Sequence, residues 1–187
     1  MFELDIPSIS AIVATIGVVI GVALTVLELK HLHEQKQTDL LIRLYSRMHS
    51  NEFQDAFSKI MRMQFKNYED FLKNYPRHSE ARLEINKAIA TVCGFFELVG
   101  TLLYRKHIDL GLTYDVFGVS AIKEIYEKTK PLTVGFRREL NEPVLGAGFE
   151  YLHNELLRKE PQLKKTWAKA ILPSVSDSNS PDEPSRC

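Results

Sequence analysis

The residues that could do chemistry in this chain are few, and their spacing favours packing over catalysis. Two stretches read Glu-x-x-His, Glu28-Leu-Lys-His31 and Glu150-Tyr-Leu-His153. Paired on facing helices with further carboxylates, that spacing holds the two irons of four-helix carboxylate bundles, and Glu97 could add a third carboxylate. This is the route to a metal-dependent enzyme in a bundle core. A three-residue spacing has little specificity, however, and Glu28 and His31 stand at the border of a long uncharged block. Both pairs read better as solvated or interfacial side chains. His31 and His33 make no metal pair on a helix, because positions i and i+2 point apart. Of the two cysteines, Cys93 lies in an apolar run and Cys187 in a polar one, which provides neither a disulfide framework nor a four-ligand zinc site. Gly-x-Ser-x-Gly, a phosphate-binding glycine loop and His-Glu-x-x-His are all absent. No catalytic residue, cofactor or metal ligand is assigned on this reading. Lys plus Arg and Asp plus Glu number 24 each, so the basic footprint of a nucleic-acid partner is missing too.

Glu97 is the residue that needs a partner. It is the only charge in the 17 residues from Ala88 to Tyr104, flanked by Phe95, Phe96, Leu98 and Val99. A carboxylate in such surroundings must be paired or protonated. The expected arrangement is a buried ion pair with Arg137, with Arg138 next in line and Lys123 and Lys130 behind them. Its role would be to fix the register of two helices.

The elements that position these residues begin with an uncharged block of 22 residues, Ile6 to Leu27. As a helix it spans the roughly 30 Å hydrocarbon layer of a bilayer, and Pro7 suits its first turn. The acidic start, Phe2-Glu3-Leu4-Asp5, and the length of the block argue for an anchor over a cleavable signal. Lys30, Lys36, Arg43 and Arg47 all follow the block, and no Lys or Arg precedes it. Positive charge stays on the cytoplasmic side, so the expected topology is single-pass in the cell membrane, N-terminus outside. Within the block, Gly17-Val18, Gly21-Val22 and Thr25 share one face and resemble the glycophorin dimer motif, Gly-Val-x-x-Gly-Val-x-x-Thr. Glycines there let two backbones approach closely while the valines pack into the groove. The lipid bilayer and a second copy of the chain are thus the expected partners, with an unknown protein partner beyond them.

The rest reads as helix after helix, so the fold class is all-α. Residues 1–29 form the anchor, 30–39 a helical stalk, 40–172 a cytoplasmic bundle of about four main helices, and 173–187 a disordered tail. Leu40, Leu41, Leu44, Tyr45 and Met48 mark entry into a core. Ser50 and Asn67 cap the next two helices, and Ser79 opens the strongest one, to about Lys106. Asp109-Leu110-Gly111 reads as a turn. One kinked helix passes through Pro131. The last bundle helix opens at Asn141 and Pro143 and ends before Pro161. Beyond it, a short basic piece places Leu163, Trp167 and Ile171 on one side, either against anionic headgroups or with Trp167 packed on the bundle.

The run Phe95-Phe96-Glu97-Leu98-Val99-Gly100, followed by Leu102-Leu103-Tyr104-Arg105-Lys106-His107-Ile108-Asp109, is similar to a family of prokaryotic proteins catalogued as domain of unknown function 4760. Ile125-Tyr126-Glu127, Pro131, Arg137 and Phe149-Glu150-Tyr151-Leu152 extend the resemblance to roughly residues 8 to 158. Tyr126 stands where the family more often has Trp. The resemblance implies a membrane helix followed by a cytoplasmic helical domain and brings no catalytic residues. The combined expectation is a membrane-anchored interaction or signalling module. A metal-dependent enzyme and a membrane-acting effector of a stress or defence system stand as the alternatives.

Overall fold

A computed structural model describes residues 6–171, with side chains from 15 to 169. The polar stretch 173–187 and the side chain of Ile171 lie outside the described residues. Seven α-helices and no strands are found among the described residues, so the chain is all-α as its periodicity indicates. It divides into two compact units at Ser46/Arg47.

The first unit is essentially one helix. α1 (Ile6–Met48) runs for 43 residues, joining the expected anchor, stalk and first core turns without a break. After Gly21 no Gly or Pro interrupts it, so nothing in the backbone chemistry stops helix propagation. Every residue from 15 to 36 is exposed, whereas Leu41 and Leu44 are buried.

In the second unit the sequence signals place most helix starts. α2 (Asn51–Arg62), α3 (Tyr68–Asn74) and α4 (Glu80–Tyr104) are capped by Ser50, Asn67 and Ser79, whose side-chain oxygens accept the amides of Phe53, Asp70 and Arg82. α4 is the central helix. It packs chiefly on α7 (Ala147–Ile171) and on α2, burying Ile85, Val92, Phe95, Phe96, Val99 and Leu103. Phe53 meets the edges of Phe95 and Phe96, and Phe96 stacks on Phe149 at 5.1 Å.

Three boundaries differ from expectation. Asp109-Leu110-Gly111 is not a free turn, because the Asp109 carboxylate accepts the Leu112 amide and starts α5 (Leu110–Phe117). Gly118, at φ 67°, closes that helix, a conformation that favours glycine. α6 (Ser120–Leu140) does pass through Pro131 as one helix. Asn141, however, ends α6 in a left-handed conformation, and α7 opens only at Ala147. α7 then continues through Pro161, so the basic piece is part of it. Leu156 is fully buried before that proline, and beyond it the Trp167 indole donates to Asp115 of α5. These contacts on both sides hold the helix through the hydrogen bond the proline removes.

Candidate functional site

The carboxylate of Glu97 and the start of α7 form a two-pronged polar contact in the second unit. The Gly148 amide donates to Glu97 Oε1 at 2.9 Å, and the Phe149 amide to Oε2 at 2.8 Å. These are first-turn N–H groups, which have no acceptor within their own helix. Glu97 therefore caps α7 from α4, with its charge at the positive end of the helix dipole. Glycines make the approach possible. A Cβ on Gly100 would lie 1.8 Å from the Gly148 carbonyl oxygen, and one on Gly148 would lie 2.6 Å from that of Glu97. The two helices thus touch backbone to backbone, one turn from the carboxylate.

The expected Glu97–Arg137 ion pair is not the one that forms. Arg137 pairs with Glu150 at 2.8 Å and donates through Nε to the Leu145 carbonyl at 2.8 Å. The turn 141–146 delays α7, which brings its amides and not a guanidinium to Glu97. Sequence reasoning missed Gly100 and Gly148; a readable signal was the glycine-rich Gly146-Ala147-Gly148 ahead of Phe149. Glu150 and His153 likewise serve packing, although the buried Nε2 of His153 has no hydrogen-bond partner among the described residues. Glu150 holds Arg137, while the His153 ring stacks on Tyr126 at 4.0 Å, its Nδ1 3.1 Å from Asn154 Oδ1. Burial, and then the nearby Glu150 charge, push the Tyr126 phenol above its ordinary pKa. In α1, His31 is bonded to Gln35 and His33 to Gln37. Among the described residues no group of three or more His, Cys, Asp or Glu is placed to hold a metal ion.

Beside the Glu97 joint, an apolar groove of about 440 Å³ opens between α4 and α6. Ile89, Leu132, Phe136 and Phe149 form much of its wall, and Glu97, Thr129 and Thr133 are among its polar lining. Burial pushes the Cys93 thiol, also in the lining, up to about 11, so it stays protonated and inert at neutral pH.

A family model, the domain of unknown function DUF4760, matches residues 12–156. The chain belongs to this family. No curated protein and no solved structure matches it. In this DUF4760 chain Phe95–Gly100 and Phe149–Leu152, two of the stretches that carry the resemblance, meet at the Glu97 joint, where carboxylate, glycine contact and stacked rings coincide.

The DUF4760 match also takes in most of α1's apolar part, from residue 12. Two described helices are long and apolar enough to cross a membrane, Thr15–Met48 of α1 and Glu80–Tyr104, which is α4. α4 buries nine of its 25 residues in the bundle, whereas the apolar window of α1 has no buried residue. On α1, Gly17, Val18, Gly21, Val22 and Thr25 are all exposed. A Cβ on either glycine would meet nothing within 4 Å, and the Thr25 hydroxyl donates back to the Gly21 carbonyl at 2.9 Å.

Proposed function

We propose that the protein is a single-pass, membrane-anchored helical module that works through interaction, its bundle on the cytoplasmic side. The observation that carries this reading is the uncovered apolar surface of α1. Ile16, Val18, Val19, Ile20, Val22, Leu24, Val26 and Leu27 are each more than half exposed. In water such a surface costs roughly 25 cal/mol for each Å² left unburied, and a bilayer removes that cost. The Lys and Arg residues after the block favour the N-out orientation. The open face of Gly17, Val18, Gly21, Val22 and Thr25 suits a homodimer, because helices in lipid associate through close backbone packing. Two tethered bundles then share partners at a raised local concentration.

A dimerisation reporter in membranes tests the reading with wild type, Gly21→Ile and Ile20→Leu. A strong wild-type signal, lost in Gly21→Ile and kept in Ile20→Leu, is expected. Equal signals from all three overturn the helix-driven dimer. Release of the full chain from membranes by high salt or carbonate overturns the anchor itself.

A further inference from the structure

The groove between α4 and α6 has a lining whose polar chemistry is one-sided. Its Thr129 hydroxyl donates to the Ile125 carbonyl at 2.7 Å, and its Thr133 hydroxyl to the Thr129 carbonyl at 3.3 Å. With its proton committed inside α6, the half-buried Thr133 oxygen keeps lone pairs for another donor, whereas the Thr129 hydroxyl is buried beside the Cys93 thiol. Glu97 accepts one amide on each carboxylate oxygen, and each oxygen retains further acceptor capacity. Glu97 is also the single charged residue of the lining. The remaining polar side chains are the Cys93 thiol, a weak donor, and Asn86. The walls are otherwise apolar, and the volume falls within the range of small-molecule sites.

We propose that this groove binds a small, mainly apolar molecule carrying an amine or hydroxyl donor. The apolar body would lie along Ile89, Leu132 and Phe136, and the donor would meet Glu97 and Thr133. A carboxylate or phosphate ligand is disfavoured because Glu97 would face a like charge. Space for the ligand comes partly from Gly94, where a Cβ would meet nothing within 4 Å.

The test uses the full chain in nanodiscs of zwitterionic lipid, with three probes of similar size: phenethylamine, phenethyl alcohol and phenylacetate. Saturation-transfer NMR titrations are read against empty discs. Saturable binding of the amine and the alcohol is expected, with phenylacetate weaker by roughly tenfold or more from like-charge repulsion. Gly94→Leu, whose Cβ enters open space in the groove, should abolish saturable binding of all three. Thr133→Val, which leaves the α7 cap alone, should weaken the amine and alcohol several-fold. Phenylacetate binding as well as the amine, no saturable binding above empty discs, or wild-type binding by both variants overturns the proposal. Incorporation of the chain into the discs is checked by size-exclusion chromatography before the titrations, so a chain that fails to insert counts against the anchor and a chain that inserts without saturable binding counts against the groove.

Discussion

α1 and α4 are both long apolar helices with glycines on their faces, and they solve the same problem in different places. At Gly100 of α4 a neighbouring backbone already occupies the space a side chain would need. At Gly17 and Gly21 of α1 that space is open. α4 buries nine of its residues in the bundle, while none from 15 to 36 of α1 is buried. Glycine in an apolar helix therefore has no fixed meaning. It allows close backbone approach, and only the neighbour shows whether the approach has been used within the chain.

The contrast can be broken most sharply at Gly100. Gly100→Val places a Cβ against the Gly148 carbonyl, which neither backbone can avoid. We expect a loss of about 3 kcal/mol, the upper end for overpacking, read as a shifted urea midpoint of the bundle by circular dichroism. Next comes the carboxylate that depends on that approach. Glu97→Ala removes two charge-assisted hydrogen bonds and uncaps α7, at about 2 kcal/mol. Glu97→Gln should recover part of that, since its amide oxygen can still accept one N–H. If Glu97→Ala and wild type have the same midpoint, the cap is not a stabilising contact.

A second tether in the bundle sharpens the comparison through pH. Glu139 on α6 accepts the Tyr68 hydroxyl of α3 and pairs with Arg77, and the Tyr68 ring lies where a Cβ of Gly135 would be. The Tyr68 bond, helped by Arg77 and Arg82 and opposed by burial, holds the Glu139 carboxyl below its ordinary 4.5. A lowered carboxylate pKa contributes stability above the unfolded value and loses it as pH falls through the folded one. Wild type should thus lose its advantage over Glu139→Gln as pH drops below about 4.5, and keep it at neutral pH. A pH series of thermal melts checks this. The smallest effect belongs to α1: Gly21→Ile should leave the bundle's urea midpoint within about 0.5 kcal/mol, as for any exposed site. A large shift would mean that this glycine is packed within the chain after all.

The helices themselves could be read directly. Caps at Ser50, Asn67 and Ser79, the periodicity of α4 and the passage through Pro131 are local signals, set by hydrogen bonds and spacings within a few residues. Where local signals were ambiguous, the reading failed. Asp109-Leu110-Gly111 suits a turn or a capped helix start equally well, and Asn141 suits the end of one helix as well as the start of another. Pro161 looked like a stop because the contacts of Leu156 and Trp167 that carry α7 past it are tertiary.

The same division governs the candidate site. That Glu97 needs a partner follows from its sequence alone, since a lone carboxylate among aromatic and aliphatic neighbours must be compensated wherever it packs. Which partner it finds does not, because Arg137 and the first amides of α7 are both capable of it. The choice was made by the Gly100–Gly148 contact, which brings α7's backbone within reach of Glu97, while Arg137 is held by Glu150 and the Leu145 carbonyl. The sequence by itself determined the all-α class, the capped starts of α2, α3 and α4, the apolar block and the demand for compensation, all of which rest on local chemistry. Only the tertiary structure decided the partner and opened the groove beside it, because both depend on distances between residues about 50 positions apart in the chain.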